Sequence, residues 1–201
     1  MSKLFLVRHG ETKLNSGKRF WGQTDVELSA AGIRQAERLR DRLLTQKIDA
    51  VYTSNLKRAV VTAGIITSVH HLDIITCTEL GEMNFGWIEG LTFEEISQQY
   101  PEVAKMLGNW DIRPKFPGGE SLGELNRRVS KFMPRLKNHP PEETILVIAH
   151  SGTLRLLMCH LLGIELEHWR QFHLDLGSVS LLDTYPQGAI LSLLNDTSHL
   201  E

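Results

Sequence analysis

Short apolar runs alternate with segments of helical periodicity along most of this chain. Four runs are compact and uninterrupted, as in strands that are buried on both faces. They lie at residues 4–7, 50–52, 74–76 and 144–149. Strands that alternate with helices in this way predict an α/β sandwich, with three layers (α/β/α) and a mostly parallel central sheet.

Helix caps add boundaries to this pattern. Ser29 is a favoured N-cap residue, and Ser121 with Glu124 has the spacing of a capping box. The apolar stripe expected behind Ser29 consists of Ile33, Ala36, Leu39 and Leu43. Pro134 is expected to kink or restart the helix after Ser121, and Gly163 to end the helix after the strand at 144–149.

The rest of the chain contributes a middle segment and a C-terminal pair of strands. Residues 79–120 contain Gly, Pro and aromatic residues with mixed periodicity. They predict a loop with short helices that forms a cap or lid beside the sheet, within a single domain over residues 1–201. Two β-like stretches, 179–182 and 189–194, flank a turn at 185–188.

Composition narrows the class of protein. The formal net charge of -2 argues against a nucleic-acid partner, because proteins that bind nucleic acids usually have a basic surface. Cys77 and Cys159 are too few for a disulfide framework and form no C-x-x-C pair. The apolar stretch at the N-terminus is too short for a signal peptide, and no apolar run is long enough to span a membrane. A soluble cytoplasmic protein is therefore expected.

Two of the predicted strands end in histidine. Arg8 and His9 follow the first strand, and His150 follows the strand at 144–149. If these strands are parallel neighbours, both imidazoles enter one crevice at the carboxyl ends of the strands. Arg58, at the start of the helix after the second strand, is expected to point into the same crevice.

Such a crevice suits a phosphoryl group. Arginine matches phosphate oxygens with two donors, and a helix that starts after His150 adds backbone N–H groups. A neutral imidazole is a competent nucleophile at neutral pH. Because a leaving alkoxide needs a proton, an acid should lie nearby; Glu82 is the favoured candidate and Glu79 competes with it.

These residues belong to an ordered set of blocks that resembles the histidine phosphatase superfamily, which includes cofactor-dependent phosphoglycerate mutases. The blocks are Leu6–Thr12, Trp21–Asp25, Ser54–Ala59, Glu79–Glu82, Phe85–Gly90, Pro117–Ser121 and the segment at His150. They cover nearly the whole chain, and their order makes the resemblance specific. The resemblance implies a phosphoglycerate mutase-like fold and no metal or organic cofactor.

The resemblance also implies residue roles. His9 becomes a phosphohistidine; Arg8, Arg58 and His150 bind the phosphate; Glu82 donates a proton and then activates water. Substrate contacts are implied for four further positions, which are Asn15, Gln23, Thr24 and the backbone N–H of Ser151. Asn15 is equally typical of a turn residue.

Two departures from the family pattern stand out. Relatives often have Gly where this chain has Ser151, and a left-handed backbone there would cost a serine energy. Trp87 is displaced by one position from the usual tryptophan. Trp21, Trp87 and Trp110 could line an aromatic pocket, although tryptophan is more often a packing residue.

Three functions share this set of residues: a hydrolase of small phosphomonoesters, a phosphoglycerate mutase, and a non-catalytic phospholigand-binding module. The complete set of chemical residues argues against the module. Mutase relatives have a longer and more basic insertion after the acid, whereas residues 84–120 contain only Lys105, Arg113 and Lys115 as basic residues. We therefore favour a phosphatase.

Among phosphatases, the chain most resembles α-ribazole phosphatases of cobalamin biosynthesis, in its compact length, its Arg19–Asp25 loop and its C-terminal segment. A broad-specificity sugar-phosphate phosphatase is the alternative. The expected partner is a small phosphorylated metabolite, and a homodimer is the assembly considered.

Overall fold

The computed structural model describes residues 2–14, 19–109 and 114–201. Within these ranges, six strands form one sheet. They are β1 (Ser2–Arg8), β2 (Ala50–Ser54), β3 (Ile74–Cys77), β4 (Thr144–Ala149), β5 (Val179–Tyr185) and β6 (Gly188–Asp196). The α-helices are α1 (Ala30–Leu43), α2 (Lys57–Thr67), α3 (Phe93–Gln99), α4 (Pro101–Gly108), α5 (Leu122–Ser130), α6 (Met133–Lys137) and α7 (Ser151–Leu162).

The strands are ordered β3-β2-β4-β1-β5-β6 across the sheet. The first four are parallel, and β5 and β6 are antiparallel to their neighbours. This confirms the predicted, mostly parallel sheet. β1 and β4 are direct neighbours, and Arg8 lies opposite Ala149 in their register. His9 and His150 therefore leave the sheet side by side.

Helices cover both faces of the sheet. Leu4 and Leu6 of β1 pack into a cluster that includes residues of α5 and α7, whereas Phe5 and Val7 pack into a second cluster with α1 and α2. Successive side chains of a strand point to opposite faces, so one strand serves both clusters. The three layers predicted from the sequence are confirmed, and β4 is buried along its whole length.

Local signals place most helix boundaries. Ser29 accepts a hydrogen bond from Gly32 N, and Ser121 with Glu124 forms a complete capping box. Pro134 lies in the first turn of α6, where it restarts the helix after α5, and Gly163 ends α7 in the left-handed conformation. No helix within residues 2–14, 19–109 and 114–201 is both long and apolar enough to cross a membrane.

The expected stripe of α1 is wrong at its first position. Ile33 is 41% exposed, while Ala36, Leu39 and Leu43 are buried. The buried face instead begins at Gly32, where a Cβ would lie only 2.0 Å from the Glu11 carbonyl oxygen. A backbone packed this closely leaves Ile33 on the solvent side.

The segment after β3 forms short elements, as the sequence predicted. It contains α3, α4 and two 3₁₀ turns, at Thr78–Leu80 and Gly86–Ile88. Its buried residues, among them Ile88, Ile96 and Phe116, pack into the same cluster as α5 and α7. Whether residues 79–120 act as a cap within a single domain stays a prediction, as do the cytoplasmic location and the homodimer.

Candidate active site

His9 lies at the carboxyl end of β1 and is only 6% exposed. Its Nδ1 is 2.7 Å from the Gly10 carbonyl oxygen, which can only accept a hydrogen bond. The imidazole proton therefore lies on Nδ1, and Nε2 keeps its lone pair. Burial, and then the charges of Arg58 and Arg8, lower the pKa of His9 well below its ordinary value. His9 is thus neutral at neutral pH, as a nucleophile requires.

Arg58 connects the two imidazoles to a neighbouring loop. Its Nε lies 3.2 Å from Nε2 of His9 and 3.2 Å from Nδ1 of His150. Its two terminal nitrogens donate to the carbonyl oxygens of Thr24, at 2.9 Å, and Gly22, at 2.6 Å. Arg58 is buried at the start of α2, directly after β2. One side chain therefore orders both histidines and the backbone of residues 22–24.

His150 lies between β4 and α7 and is fully buried. Because its Nδ1 accepts from Arg58, the proton lies on Nε2, which donates to Ser54 Oγ at 2.8 Å. The ring centroids of His9 and His150 are 4.9 Å apart. Burial is the largest of the effects that lower the pKa of His150, so this second imidazole is also neutral.

Arg8 and Glu82 approach from the α7 side of the sheet. Arg8 donates from Nη1 to the Leu174 carbonyl oxygen at 2.6 Å, while its buried Nε has no hydrogen-bond partner. Glu82 is buried, and its carboxylate accepts from Met83 N at 2.9 Å and Gly152 N at 3.2 Å. The carboxylate therefore lies at the N-terminus of α7, where the helix dipole favours negative charge.

Gly152 is required by this arrangement. A Cβ at position 152 would lie 2.5 Å from Glu82 Oε1, well inside van der Waals contact. Ser151, one residue earlier, is the first residue of α7 and does not adopt a positive φ. The left-handed strain considered for Ser151 is therefore absent, and the glycine requirement falls on Gly152.

Arg128 is a residue that the sequence did not single out. Its guanidinium donates to the carbonyl oxygens of Gly81, at 2.8 Å, and Glu82, at 3.0 Å. It also donates to the carbonyls of Thr78 and Glu79 and pairs with the carboxylate of Glu120. Arg128 thus holds the backbone that carries Glu82. No pattern marks it, because arginine in the last turn of an amphipathic helix usually faces solvent.

Glu89 plays a similar part for the loop at 22–24. Its carboxylate accepts from the backbone N–H groups of Gln23 and Thr24, both at 2.8 Å, and from the Thr24 hydroxyl. Gln23 donates from Nε2 to the Glu82 carbonyl oxygen at 3.1 Å. Gln23 and Thr24 therefore border the site, but the Thr24 hydroxyl is already bonded to Glu89.

The family model described as "Histidine phosphatase superfamily (branch 1)" matches residues 4–197. The chain belongs to the histidine phosphatase superfamily. It is a phosphatase enzyme of that superfamily, with the fold that the family resemblance implied.

Relatives of this histidine phosphatase have several names. Phosphoserine phosphatase 1 of Hydrogenobacter thermophilus is 32% identical over 200 residues, which are 100% of this chain and 95% of the relative. A Yersinia enterocolitica protein named "Probable phosphoglycerate mutase GpmB" is 32% identical over 206 residues, covering 100% of this chain and 96% of the relative. The structure of the alpha-ribazole phosphatase from Shigella flexneri has a TM-score of 0.90 and 33% identity, with 96% of each chain covered.

The histidine phosphatase site brings together most residues predicted from sequence, namely Arg8, His9, Arg58, Glu82 and His150. Glu79, the competing acid, points elsewhere: its carboxylate lies 3.6 Å from Arg135 of α6. Asn15 lies outside the described residues, so its contact with phosphate stays a prediction.

The tryptophans of this histidine phosphatase do not form an aromatic wall in the described structure. Trp21 donates from Nε1 to the Leu14 carbonyl oxygen, and its ring packs against Gly90. Trp87 is 66% exposed and packs against Gly118. Trp110 lies outside the described residues. Among the described residues, no group of three or more His, Cys, Asp or Glu is placed to hold a metal ion.

Proposed function

We infer that this chain hydrolyses small phosphomonoesters through a phosphohistidine on His9. The observation that carries the proposal is the hydrogen bond from His9 Nδ1 to the Gly10 carbonyl oxygen. It leaves the lone pair on Nε2, which faces Arg58 and accepts from Arg58 Nε at 3.2 Å. A buried neutral imidazole in this orientation is a nucleophile held ready for phosphorus.

Charge in the site suits a phosphate dianion. Half-buried Arg8 and buried Arg58 bring two positive charges, and the two histidines are neutral. The N-terminus of α7 adds the backbone N–H of Ser151 and a favourable dipole. Arg58 Nε is shared between two ring nitrogens at 3.2 Å, so a phosphate oxygen would compete against two long hydrogen bonds.

The reaction then runs in two displacements. His9 Nε2 attacks phosphorus, the P–O bond to the alcohol breaks, and the Glu82 carboxyl group gives its proton to the leaving oxygen. At this stage a phosphoryl group is covalently attached to His9 Nε2, and Glu82 is a carboxylate. That carboxylate takes a proton from water as the water oxygen attacks phosphorus. The P–N bond breaks, and free phosphate and the original enzyme result.

The segment after Glu82 favours hydrolysis over mutase chemistry. Of its basic residues, Lys115 pairs with Glu124 at 2.8 Å and Lys105 is exposed on α4. Arg113 lies outside the described residues. Two lysines so placed give little support to a basic segment that closes over the substrate and excludes water, so water is the acceptor we propose.

α-Ribazole 5′-phosphate is our first candidate for the substrate, supported by the similarity to the Shigella flexneri alpha-ribazole phosphatase. The proposed stacking of its base on tryptophan gains no support from the packing of Trp21 and Trp87. A phosphomonoester that carries a carboxylate is the second candidate, because Arg155 shares the Glu82 carboxylate with Arg8 and Arg58 and forms no ion pair of its own among the described residues. Broad specificity for sugar phosphates remains the alternative.

The test is chemical trapping. Brief exposure to a ³²P-labelled phosphomonoester, followed by denaturation, should leave acid-labile and alkali-stable label on the wild type. His9→Ala should carry no label and show almost no turnover, because the P–N bond cannot form. Label of the same stability on His9→Ala would place the nucleophile elsewhere. Turnover of α-ribazole 5′-phosphate no faster than that of sugar phosphates would remove the first substrate candidate and leave the phosphatase.

A further inference from the structure

Arg155 is a further arginine at the site, and neither the family blocks nor the proposed mechanism uses it. It lies on α7, three residues after Gly152 and four after Ser151, on the face of the helix that meets Glu82. Its Nε is buried and has no hydrogen-bond partner. The guanidinium carbon lies 5.7 Å from the centre of the Trp169 ring, and Trp169 is buried.

The charges around Arg155 leave it without a dedicated counterion. The carboxylate of Glu82 interacts with Arg155, and it does so with Arg8 and Arg58 as well. One buried carboxylate therefore faces three guanidinium groups. Asp175, the other carboxylate near Arg8, is held by Asn195 and His173. No ion pair between Arg155 and an acidic side chain occurs in residues 2–14, 19–109 and 114–201.

Catalysis makes this imbalance larger. To act as the acid, Glu82 must enter the reaction protonated and therefore neutral. Arg8, Arg58 and Arg155 then bring three positive charges to a phosphate group that carries two negative charges. Arg155 is half-buried, and a charge that is partly removed from water without a partner is costly, so a second anionic group on the substrate would complete the set.

We propose that Arg155 binds a carboxylate on the substrate, one helical turn from the phosphate site at the N-terminus of α7. The proposal rests on the phosphatase function above and names its substrate class: phosphomonoesters in which a short carbon chain joins phosphate and carboxylate. Arginine offers a planar pair of donors that matches a carboxylate. The Arg155 guanidinium carbon lies over the Trp169 ring, and this cation–π contact helps to hold the guanidinium in place.

This substrate class differs from the first candidate above. α-Ribazole 5′-phosphate has no carboxylate, so Arg155 would add nothing specific to its binding. O-Phosphoserine and O-phosphoethanolamine provide a matched pair of probes, because they differ only in the carboxylate. The ratio of their kcat/KM values reports the contribution of that group alone.

The experiment measures this ratio for four proteins: the wild type, Arg155→Met, Arg155→Lys and the control Arg127→Met. Arg127 is exposed on α5, so the control removes one positive charge away from the site. The wild type should prefer phosphoserine. Arg155→Met should lower that preference roughly 10- to 100-fold, the range for a charge-assisted hydrogen bond, and Arg155→Lys should lower it less. Arg127→Met should keep the wild-type ratio.

Each alternative outcome is decisive. An unchanged ratio in Arg155→Met, or an equal loss on both substrates, overturns the carboxylate site while the phosphatase stands. Absence of a phosphohistidine with every phosphomonoester overturns the proposed function and this site together. If Arg155→Met does not fold, inhibition of the wild type decides: phosphonoacetate should bind more tightly than methylphosphonate, and equal binding refutes the proposal.

Discussion

Replacing Gly152 by alanine tests the placement of Glu82 without removing any chemical group. The new Cβ would lie 2.5 Å from Glu82 Oε1, whereas ordinary contact begins near 3.4 Å. The carboxylate must therefore retreat by about 1 Å, and a displacement of that size costs on the order of 10²-fold in rate. Because the clashing atom ends a flexible side chain, the fold itself should tolerate the change.

The stability of Gly152→Ala should differ little from that of the wild type, because two effects of similar size oppose each other. Alanine is favoured over glycine in a helix by up to about 1 kcal/mol. The lost hydrogen bond from Gly152 N to Glu82 costs about the same amount. The free energy of unfolding of Gly152→Ala should therefore stay within about 1 kcal/mol of the wild type. Gly64→Ala is the matched control, since Gly64 is a helical glycine of α2 with no atom within 4 Å of a new Cβ.

The assay is the rate of the first turnover on two esters. An alkyl phosphate needs a proton for its leaving group and should react about 10²-fold more slowly with Gly152→Ala. The rate on p-nitrophenyl phosphate, whose leaving group needs no proton, should fall much less. Gly64→Ala should leave both rates unchanged. A wild-type rate of Gly152→Ala on the alkyl ester would refute the reasoning, and equal losses on both esters would mean that the phosphate site was damaged instead.

Three further outcomes are expected. Glu82→Gln should lower the alkyl ester rate roughly 10²–10⁴-fold while Glu79→Gln stays near the wild type, and the reverse pattern would make Glu79 the acid. Folding lowers the pKa of His9, so the unfolded chain takes up a proton before the folded protein does as the pH falls below 6.5. The free energy of unfolding therefore decreases as the pH decreases. Between pH 6.5 and 5.5, the free energy of unfolding measured with urea should therefore decrease by about 1 kcal/mol less for His9→Gln than for the wild type. Parallel plots of this free energy against pH would contradict a neutral buried His9. Arg128→Met should lower kcat on alkyl esters more than it raises KM, and Arg128→Lys should not restore kcat because one ammonium cannot replace the guanidinium's contacts; full restoration by Lys would show that charge alone suffices.

Features that depend on near neighbours in sequence were predictable. The run at 144–149 is strongly apolar because β4 is buried on both faces. His9 and His150 each come directly after a strand, and these two parallel strands end at the same edge of the sheet. The capping box at Ser121 is likewise a local pattern, and it formed as expected.

Features that depend on distant partners were not predictable. Arg128 lies 46 residues from the Glu82 carbonyl that it binds, and Glu89 lies 66 residues from Gln23. Nothing next to either residue in the sequence indicates these contacts. Ile33 shows the same limit: its periodicity fits the buried stripe, but the close approach of Gly32 to Glu11 rotates the buried face away from it.

The central position of β1 has a consequence for the synthesis of this protein. β1 leaves the ribosome long before both of its partners in the sheet, β4 and β5. At the usual pace of translation, roughly 7–28 s separate Arg8 from Ala149. Until then His9 has no second imidazole beside it, and Glu82 lacks the N-terminus of α7 that holds its carboxylate. A nascent chain, or a fragment that ends before β4, should therefore carry the nucleophile but lack phosphatase activity.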